Sequence, residues 1–190
     1  MSALSGMNAG WIPGIQHIVS PNQDERPAGK AISLLVVHAI SLPPAQFGSS
    51  DIARLFTNTL DPDAHPYFAT INHLKVSAHF LIRRDGEAIQ FVSCDKRAWH
   101  AGVSCWNDRE RCNDFSIGIE LEGCDDRPFE DAQYESLLAM ILTLQQHYPI
   151  EALAGHSDIA PGRKTDPGPH FQWHRLALPG IPRRWIPTSA

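Results

Sequence analysis

The pattern of apolar and polar residues predicts a chain that alternates strands with helices. Residues 32–38 form an unbroken, β-branched apolar run, which is typical of a central strand buried on both faces. Residues 79–83 and 88–92 are strand-like runs that flank Asp85 and Gly86, a pair that favours a tight turn. These two runs therefore predict a β-hairpin.

Two later segments give the clearest periodic signals. Residues 116–122 alternate strictly, which predicts a strand with one apolar face and with Glu120 on the opposite face. Residues 131–147 carry apolar side chains at helical spacing behind an acidic first turn, and Pro149 follows directly. This segment predicts an amphipathic helix that packs on the sheet.

Shorter elements complete the predicted architecture. A helix is expected from Ser50 or Asp51 to about Leu60, and residues 61–76 are expected to be a loop that can include a helical turn. Residues 152–154 predict a short strand. The order of these elements predicts an α/β (or α+β) fold, in which helices flank a central mixed β-sheet.

Composition narrows the class of protein. With 190 residues, 43% hydrophobic and 19% charged, the chain is predicted to form one globular domain over residues 1–190. A net charge of −5 argues against nucleic acid or an anionic membrane as partner. No apolar run approaches the roughly 18 residues of a membrane span, and the N-terminus has no secretory pattern, so we expect a cytoplasmic monomer. The four cysteines lack zinc-site spacing and are expected to be free thiols.

The loop at residues 155–168 carries the strongest chemical signal. Its prolines and glycines restrict or permit particular backbone turns, so the loop can hold His156, Lys164 and Asp166 around a common centre. A catalytic zinc ion needs three protein ligands and one open position, so a further ligand must come from another segment. His38, at the end of the first predicted strand, is the best candidate.

Each of these residues also has a purely structural explanation. A histidine at a strand end more often makes a structural hydrogen bond than binds a metal, and Asp166 beside Pro167 more often forms a turn. Lys164 and Glu120 can simply be solvated charges. Six further histidines are expected to have structural roles only: His65, His73, His79, His100, His147 and His174.

The order of several motifs along the chain favours a functional role for these residues over a purely structural one. They occupy residues 36–44, 77–80, 97–102, 113–123 and 155–168. From about Trp11 to Trp173 the chain resembles the AmpD-like branch of the type 2 N-acetylmuramoyl-L-alanine amidases. The resemblance implies the amidase_2 fold, which phage amidases and peptidoglycan recognition proteins share, with zinc in a groove.

The same resemblance assigns roles to individual residues. It implies zinc ligands at His38, His156 and Asp166, a catalytic glutamate at Glu120 and a catalytic lysine at Lys164. It implies hydrolysis of the amide between 1,6-anhydro-N-acetylmuramic acid and L-alanine during cell-wall recycling, with anhydromuropeptides as the small-molecule substrates.

Substrate contacts and alternative functions are less constrained by the sequence. Ala39 stands where AmpD-like sequences usually carry Asn, which puts one substrate hydrogen bond in question. Trp99 and Arg109 are candidates for sugar and carboxylate contacts, because an indole face suits a sugar ring and a guanidinium suits a carboxylate. The alternatives are a broader N-acetylmuramoyl-L-alanine amidase, a non-catalytic module that binds peptidoglycan fragments, and a zinc peptidase, although no HExxH motif supports the last.

Overall fold

The computed structural model describes residues 7–176, so both ends of the predicted domain lie outside the described part. Its α-helices are α1 (Asp51–Phe56), α2 (Pro66–Ile71), α3 (Asp131–His147) and α4 (His156–Ile159). Its strands are β1 (Gln16–His17), β2 (Gln23–Glu25), β3 (Leu34–Ile40), β4 (Phe80–Ile82), β5 (Ala88–Gln90), β6 (Lys96–Ala98), β7 (Cys105–Trp106), β8 (Arg109–Glu110), β9 (Ser116–Glu122) and β10 (Ala152–Gly155). Short 3-10 helices lie at Cys112–Asp114 and Trp173–Arg175.

Six strands form a central mixed sheet, in the order β1-β5-β4-β9-β3-β10. Strands β4, β9, β3 and β10 run parallel to one another, whereas β5 is antiparallel to β4 and parallel to β1. Two small antiparallel pairs, β2 with β6 and β7 with β8, lie outside this sheet. The predicted mixed sheet with flanking helices is confirmed.

The two faces of the sheet have different coverings. Ile117 and Ile119 of β9 pack with Leu137 and Ile141 of α3, so the long helix covers one face. On the other face, Leu81 of β4 packs with side chains of α1 and α2. Burial of both faces explains why β3 reads as a continuous apolar run.

Several predicted elements differ from the structure in extent. Strand β3 begins and ends two residues later than predicted, so His38 lies inside the strand and not at its end. The first helix ends at Phe56 and not near Leu60, since Asn58 adopts a left-handed backbone conformation with φ 61°. The predicted loop at 61–76 contains α2, which Pro66 begins at a position where its missing N–H is not needed.

Other predictions agree with the structure. The hairpin of β4 and β5, strand β9, helix α3 and strand β10 are all present. Among the described residues, no helix is both long and apolar enough to cross a bilayer.

Candidate metal centre and pocket

The central sheet places His38 and Glu120 side by side. They are direct register partners on the neighbouring parallel strands β3 and β9. Their side chains point to the face opposite α3, because Val37 and Ile119, the adjacent residues, pack toward that helix. Both residues lie toward the carboxyl ends of their strands, the edge at which α/β proteins commonly bind ligands.

The loop after β10 brings a second histidine and an aspartate to the same place. His156 is the first residue of α4, and the Ser157 N–H donates to the Asp166 carbonyl oxygen at 2.9 Å, which closes the loop. Gly155 permits this closure, since a Cβ there would stand 2.8 Å from Cδ of Pro167. Asp166 is thereby held beside His156.

Three of the predicted residues converge on one point. Nδ1 of His38 lies 3.0 Å from Nδ1 of His156, and Oδ2 of Asp166 lies 3.2 Å and 3.1 Å from these two nitrogens. Ligands at about 2.0–2.1 Å from a tetrahedral zinc ion stand about 3.3 Å from one another, so this triangle has nearly the required size. His38, His156 and Asp166 can therefore hold a metal ion.

The protonation states suit metal binding. Burial lowers the pKa of His38 to about 4, so its ring is neutral at pH 7 and has a lone pair available. Two imidazoles and one carboxylate are a donor set that suits zinc.

Glu120 is a carboxylate without a protein partner. Its Oε2 atom is buried, and no donor among residues 7–176 hydrogen-bonds to it. Burial, and then the negative charge of Asp166, raise the pKa of Glu120 well above its usual value, whereas Lys164 acts in the opposite direction. A carboxyl group with a raised pKa beside a candidate metal centre is suited to proton transfer near neutral pH.

A pocket of about 370 Å³ opens beside the three candidate ligands. Glu120, Lys164 and Trp99 line it, together with Ala39. The wall away from the metal centre is largely apolar and comes from the segments around α1 and α2: Leu42, Pro44, Leu55, Phe56, Tyr67, Ile71, Leu74 and Val76. The pocket therefore combines a polar end that carries the chemistry with an apolar end that can hold a substrate by contact.

Arg109 is the predicted site residue that the structure does not bring to the pocket. Its guanidinium lies 3.7 Å from the centre of the Phe115 ring and donates to Oγ of Ser33 at 3.0 Å. Ser33 precedes His38 by five residues of extended chain, about 16 Å at 3.3 Å per residue. This side chain is therefore directed to the other end of β3.

His100 contacts one of the candidate ligands, although the sequence indicated only a structural role for it. His100 Nδ1 lies 2.9 Å from Nε2 of His38, and His100 also lines the pocket. The available signal was Gly118, inside β9: a glycine within a strand often marks a close approach of another group. A Cβ at Gly118 would lie 2.4 Å from Cγ of His100.

Glu122, the nearest other carboxylate on β9, has a structural role. Its side chain is buried, and its oxygens accept from the Gly48 N–H at 2.6 Å and from the Arg84 N–H at 3.2 Å. Unlike Glu120, it is committed to backbone donors and does not line the pocket.

Comparison with known proteins places the chain in a family. Residues 28–169 match the family model described as N-acetylmuramoyl-L-alanine amidase. The chain is 61% identical over 169 residues to the 1,6-anhydro-N-acetylmuramyl-L-alanine amidase AmpD of Enterobacter cloacae, a match that covers 88% of this chain and 90% of the relative.

Solved structures agree with this assignment. The crystal structure of a selenomethionine AmpD derivative superposes with a TM-score of 0.88 at 58% identity, covering 90% of this chain and 96% of the other. The amidase AmiD from E. coli, in complex with anhydro-N-acetylmuramic acid-L-Ala-D-γ-Glu-L-Lys, gives a TM-score of 0.59 at 33% identity, covering 83% and 61% of the two chains. The chain therefore belongs to the N-acetylmuramoyl-L-alanine amidase family, and it is similar over most of its length to AmpD proteins.

Proposed function

We propose that this protein is a zinc-dependent amidase that hydrolyses the bond between the lactyl carbonyl of 1,6-anhydro-N-acetylmuramic acid and the nitrogen of L-alanine. The observation that carries the proposal is the triangle of His38, His156 and Asp166 ligand atoms beside the unpartnered carboxylate of Glu120. We further propose that it acts as one catalytic domain, as a monomer in the cytoplasm, in cell-wall recycling.

His38, His156 and Asp166 would hold the zinc ion. Bound zinc supplies a Lewis acid that lowers the pKa of a water molecule toward 7 and polarises a carbonyl group. The two histidine side chains are buried, with 1% and 5% of their surface exposed, so the packing around them restricts their orientation. Little reorganisation is therefore needed when substrate arrives.

Glu120 would move the proton. Its carboxylate takes a proton from the attacking water and then gives it to the amide nitrogen, because an amine leaves readily only when it is protonated. The raised pKa makes the Glu120 carboxylate a stronger base toward the attacking water, and the same group, once protonated, is the proton donor to the leaving nitrogen.

Lys164 would stabilise the charge that develops on the carbonyl oxygen. It lines the same pocket as Glu120, His156 and Asp166, so its ammonium group can reach a substrate bound there. An ammonium placed at a developing oxyanion lowers the barrier more than it strengthens ground-state binding.

The substrate class is inferred from the relatives and from the pocket. The AmpD relative is named for 1,6-anhydro-N-acetylmuramyl-L-alanine, and the AmiD complex contains an anhydromuramyl peptide. In this chain, the apolar wall and Trp99 offer contact surface for a sugar ring or a peptide backbone. Arg109 has no such support from its position, so its predicted role in substrate binding remains only a prediction.

A broader N-acetylmuramoyl-L-alanine amidase is the second candidate, because the family model that matches is defined at that level. A binding-only module is disfavoured, since that function needs neither a complete ligand triangle nor an unpartnered carboxylate beside it.

Mass spectrometry of reaction products separates these functions. Purified protein is incubated with an anhydromuramyl tripeptide and with the matching N-acetylmuramyl tripeptide. The proposal predicts release of intact tripeptide from the anhydro compound, at a higher kcat/KM than from the ordinary one. Equal rates would favour the broader amidase, cleavage within the peptide would favour a peptidase, and binding without products would favour the recognition module.

A further inference from the structure

We infer that His100 and the backbone carbonyl of Ala101 position the two histidine ligands, by fixing which ring nitrogen of each carries the proton. The inference rests on the proposed zinc site and deepens it. His100 is here a positioning residue, acting through His38.

The hydrogen-bond chain on the His38 side has a single direction. Ser116 Oγ lies 2.6 Å from the Cys112 carbonyl oxygen, and a carbonyl only accepts, so the hydroxyl donates its one hydrogen there. Ser116 Oγ must then accept from Nε2 of His100, at 3.2 Å. A neutral ring with its proton on Nε2 accepts at Nδ1, so Nε2 of His38 donates to His100 at 2.9 Å.

The His156 side reaches the same result through the backbone. Nε2 of His156 lies 3.2 Å from the Ala101 carbonyl oxygen, so that nitrogen carries the proton and donates it. Arg163 Nη2 donates to the same carbonyl at 2.7 Å and to the Val103 carbonyl at 2.6 Å. The carbonyl that orients His156 is therefore itself held in place.

Both histidines are left with a lone pair on Nδ1, directed at the candidate metal position. With both protons committed to Nε2, no hydrogen remains to bridge the two Nδ1 atoms, which are 3.0 Å apart, or to bridge either one to Asp166. Three acceptors held this close repel one another unless a cation lies between them. The outer contacts therefore favour a bound metal ion over the metal-free arrangement.

The segment that carries His100 and Ala101 is anchored for this role. Oδ1 of Asn113 accepts from the backbone N–H of His100 at 3.2 Å and of Ala101 at 2.9 Å. Gly118 leaves the space that the His100 ring occupies. Two consecutive residues, His100 and Ala101, therefore each hydrogen-bond to one of the histidine ligands. Removal of an outer contact of this kind typically lowers metal affinity about 10–100-fold.

The test compares zinc affinity, by competition with a chromophoric chelator, in the wild type and in matched variants. His100→Leu removes the acceptor for His38, and we expect the zinc dissociation constant to rise about 10–100-fold. His100→Asn can place an amide oxygen where Nδ1 was, and we expect most of the affinity to return. Should His100→Leu fail to fold, Ser116→Ala, which frees the His100 tautomer, is expected to give a smaller loss of affinity.

Gln90→Leu is the control for general destabilisation. Gln90 is buried, and it bonds to the backbone of Gly10, Ile12 and Val92. Like His100→Leu, it replaces a hydrogen-bonded polar side chain in the interior with an apolar one, but it has no contact with the candidate ligands. We expect a lower melting temperature with unchanged zinc affinity.

A second readout is the tautomer itself, measured by ¹⁵N NMR of the zinc-loaded protein. We expect the proton on Nε2 of both His38 and His156. Protons on Nδ1, or a His100→Leu variant that folds and binds zinc as tightly as the wild type, would overturn this inference alone. A wild-type protein that binds no zinc would overturn the proposed function and this inference with it.

Discussion

Replacing Glu120 with glutamine separates catalysis from metal binding and from stability. The amide has nearly the size of the carboxylate but neither ionises nor takes up a proton. Because Glu120 is not among the candidate ligands, Glu120→Gln is expected to leave zinc content unchanged. Loss of a general base typically slows turnover by about 10²–10⁴-fold, and we expect kcat to fall within that range.

The same substitution is expected to stabilise the fold. Burial raises the pKa of Glu120 in the folded state, so folding favours the protonated, neutral side chain. This contribution to the free energy of unfolding is complete at pH values below the unfolded-state pKa. It is lost as the pH rises through the folded-state pKa. Above that value the wild type carries a buried negative charge, and one of the two oxygens that share it has no hydrogen-bond partner among the described residues. We expect the zinc-free variant to gain about 1–3 kcal/mol in unfolding free energy at high pH, and to lose this advantage below about pH 4.

Three measurements check these expectations: saturating-substrate turnover, metal content, and denaturant unfolding of the zinc-free protein across pH. Glu122→Gln is the matched control on the same strand. The substitution replaces the charged acceptor of two backbone N–H hydrogen bonds with a neutral amide, which weakens both bonds. The variant should therefore be less stable, while its folded, zinc-loaded molecules keep their turnover. Near-normal kcat in Glu120→Gln would refute the assignment of the base, and lower stability at high pH would refute the account of the unpartnered oxygen.

Three further outcomes are expected. Lys164→Ala should keep its zinc but lose about 10²–10³-fold in kcat, the usual effect of removing one oxyanion donor, and a change confined to KM would contradict that role. Ala39→Asn should raise kcat/KM for the anhydromuropeptide by roughly 2- to 12-fold, which is equivalent to about 0.5–1.5 kcal/mol for one added hydrogen bond. Its zinc content should be unchanged. A kcat/KM equal to or lower than that of the wild type would mean that another group binds the peptide there. In the native protein, iodoacetamide should modify exposed Cys105 but not Cys94, because burial raises the pKa of the Cys94 thiol and excludes the reagent; equal labelling rates would contradict the packing around Cys94.

The sequence predicted the elements whose patterns depend on burial alone. The alternation in β9 predicted that Glu120 lies on the face opposite the apolar one. In the structure the apolar face packs on α3, and Glu120 lines the pocket on the other face. The residues at which the helices end were less predictable. Helix α1 stops where Asn58 adopts a left-handed conformation, and nothing in the apolar pattern before it requires that.

The outer contacts of the site could not be predicted from spacing. His100 looks like any structural histidine until β9 is in register with β3, because its role depends on Ser116 and on the bare backbone of Gly118 beneath its ring. Arg109 failed to reach the pocket for a related reason. The charge of Arg109 suits a substrate carboxylate, but that charge does not determine which end of β3 the side chain contacts.

The central claim is that amide hydrolysis depends on zinc held by His38, His156 and Asp166. The most direct measurement follows metal content and turnover of the anhydromuropeptide together, as a chelator is titrated and zinc is then returned. The account predicts one zinc per chain, turnover that falls in proportion to the zinc removed and recovers when it is restored, and neither zinc nor turnover in His38→Ala. Full turnover by protein from which the zinc has been removed would contradict it.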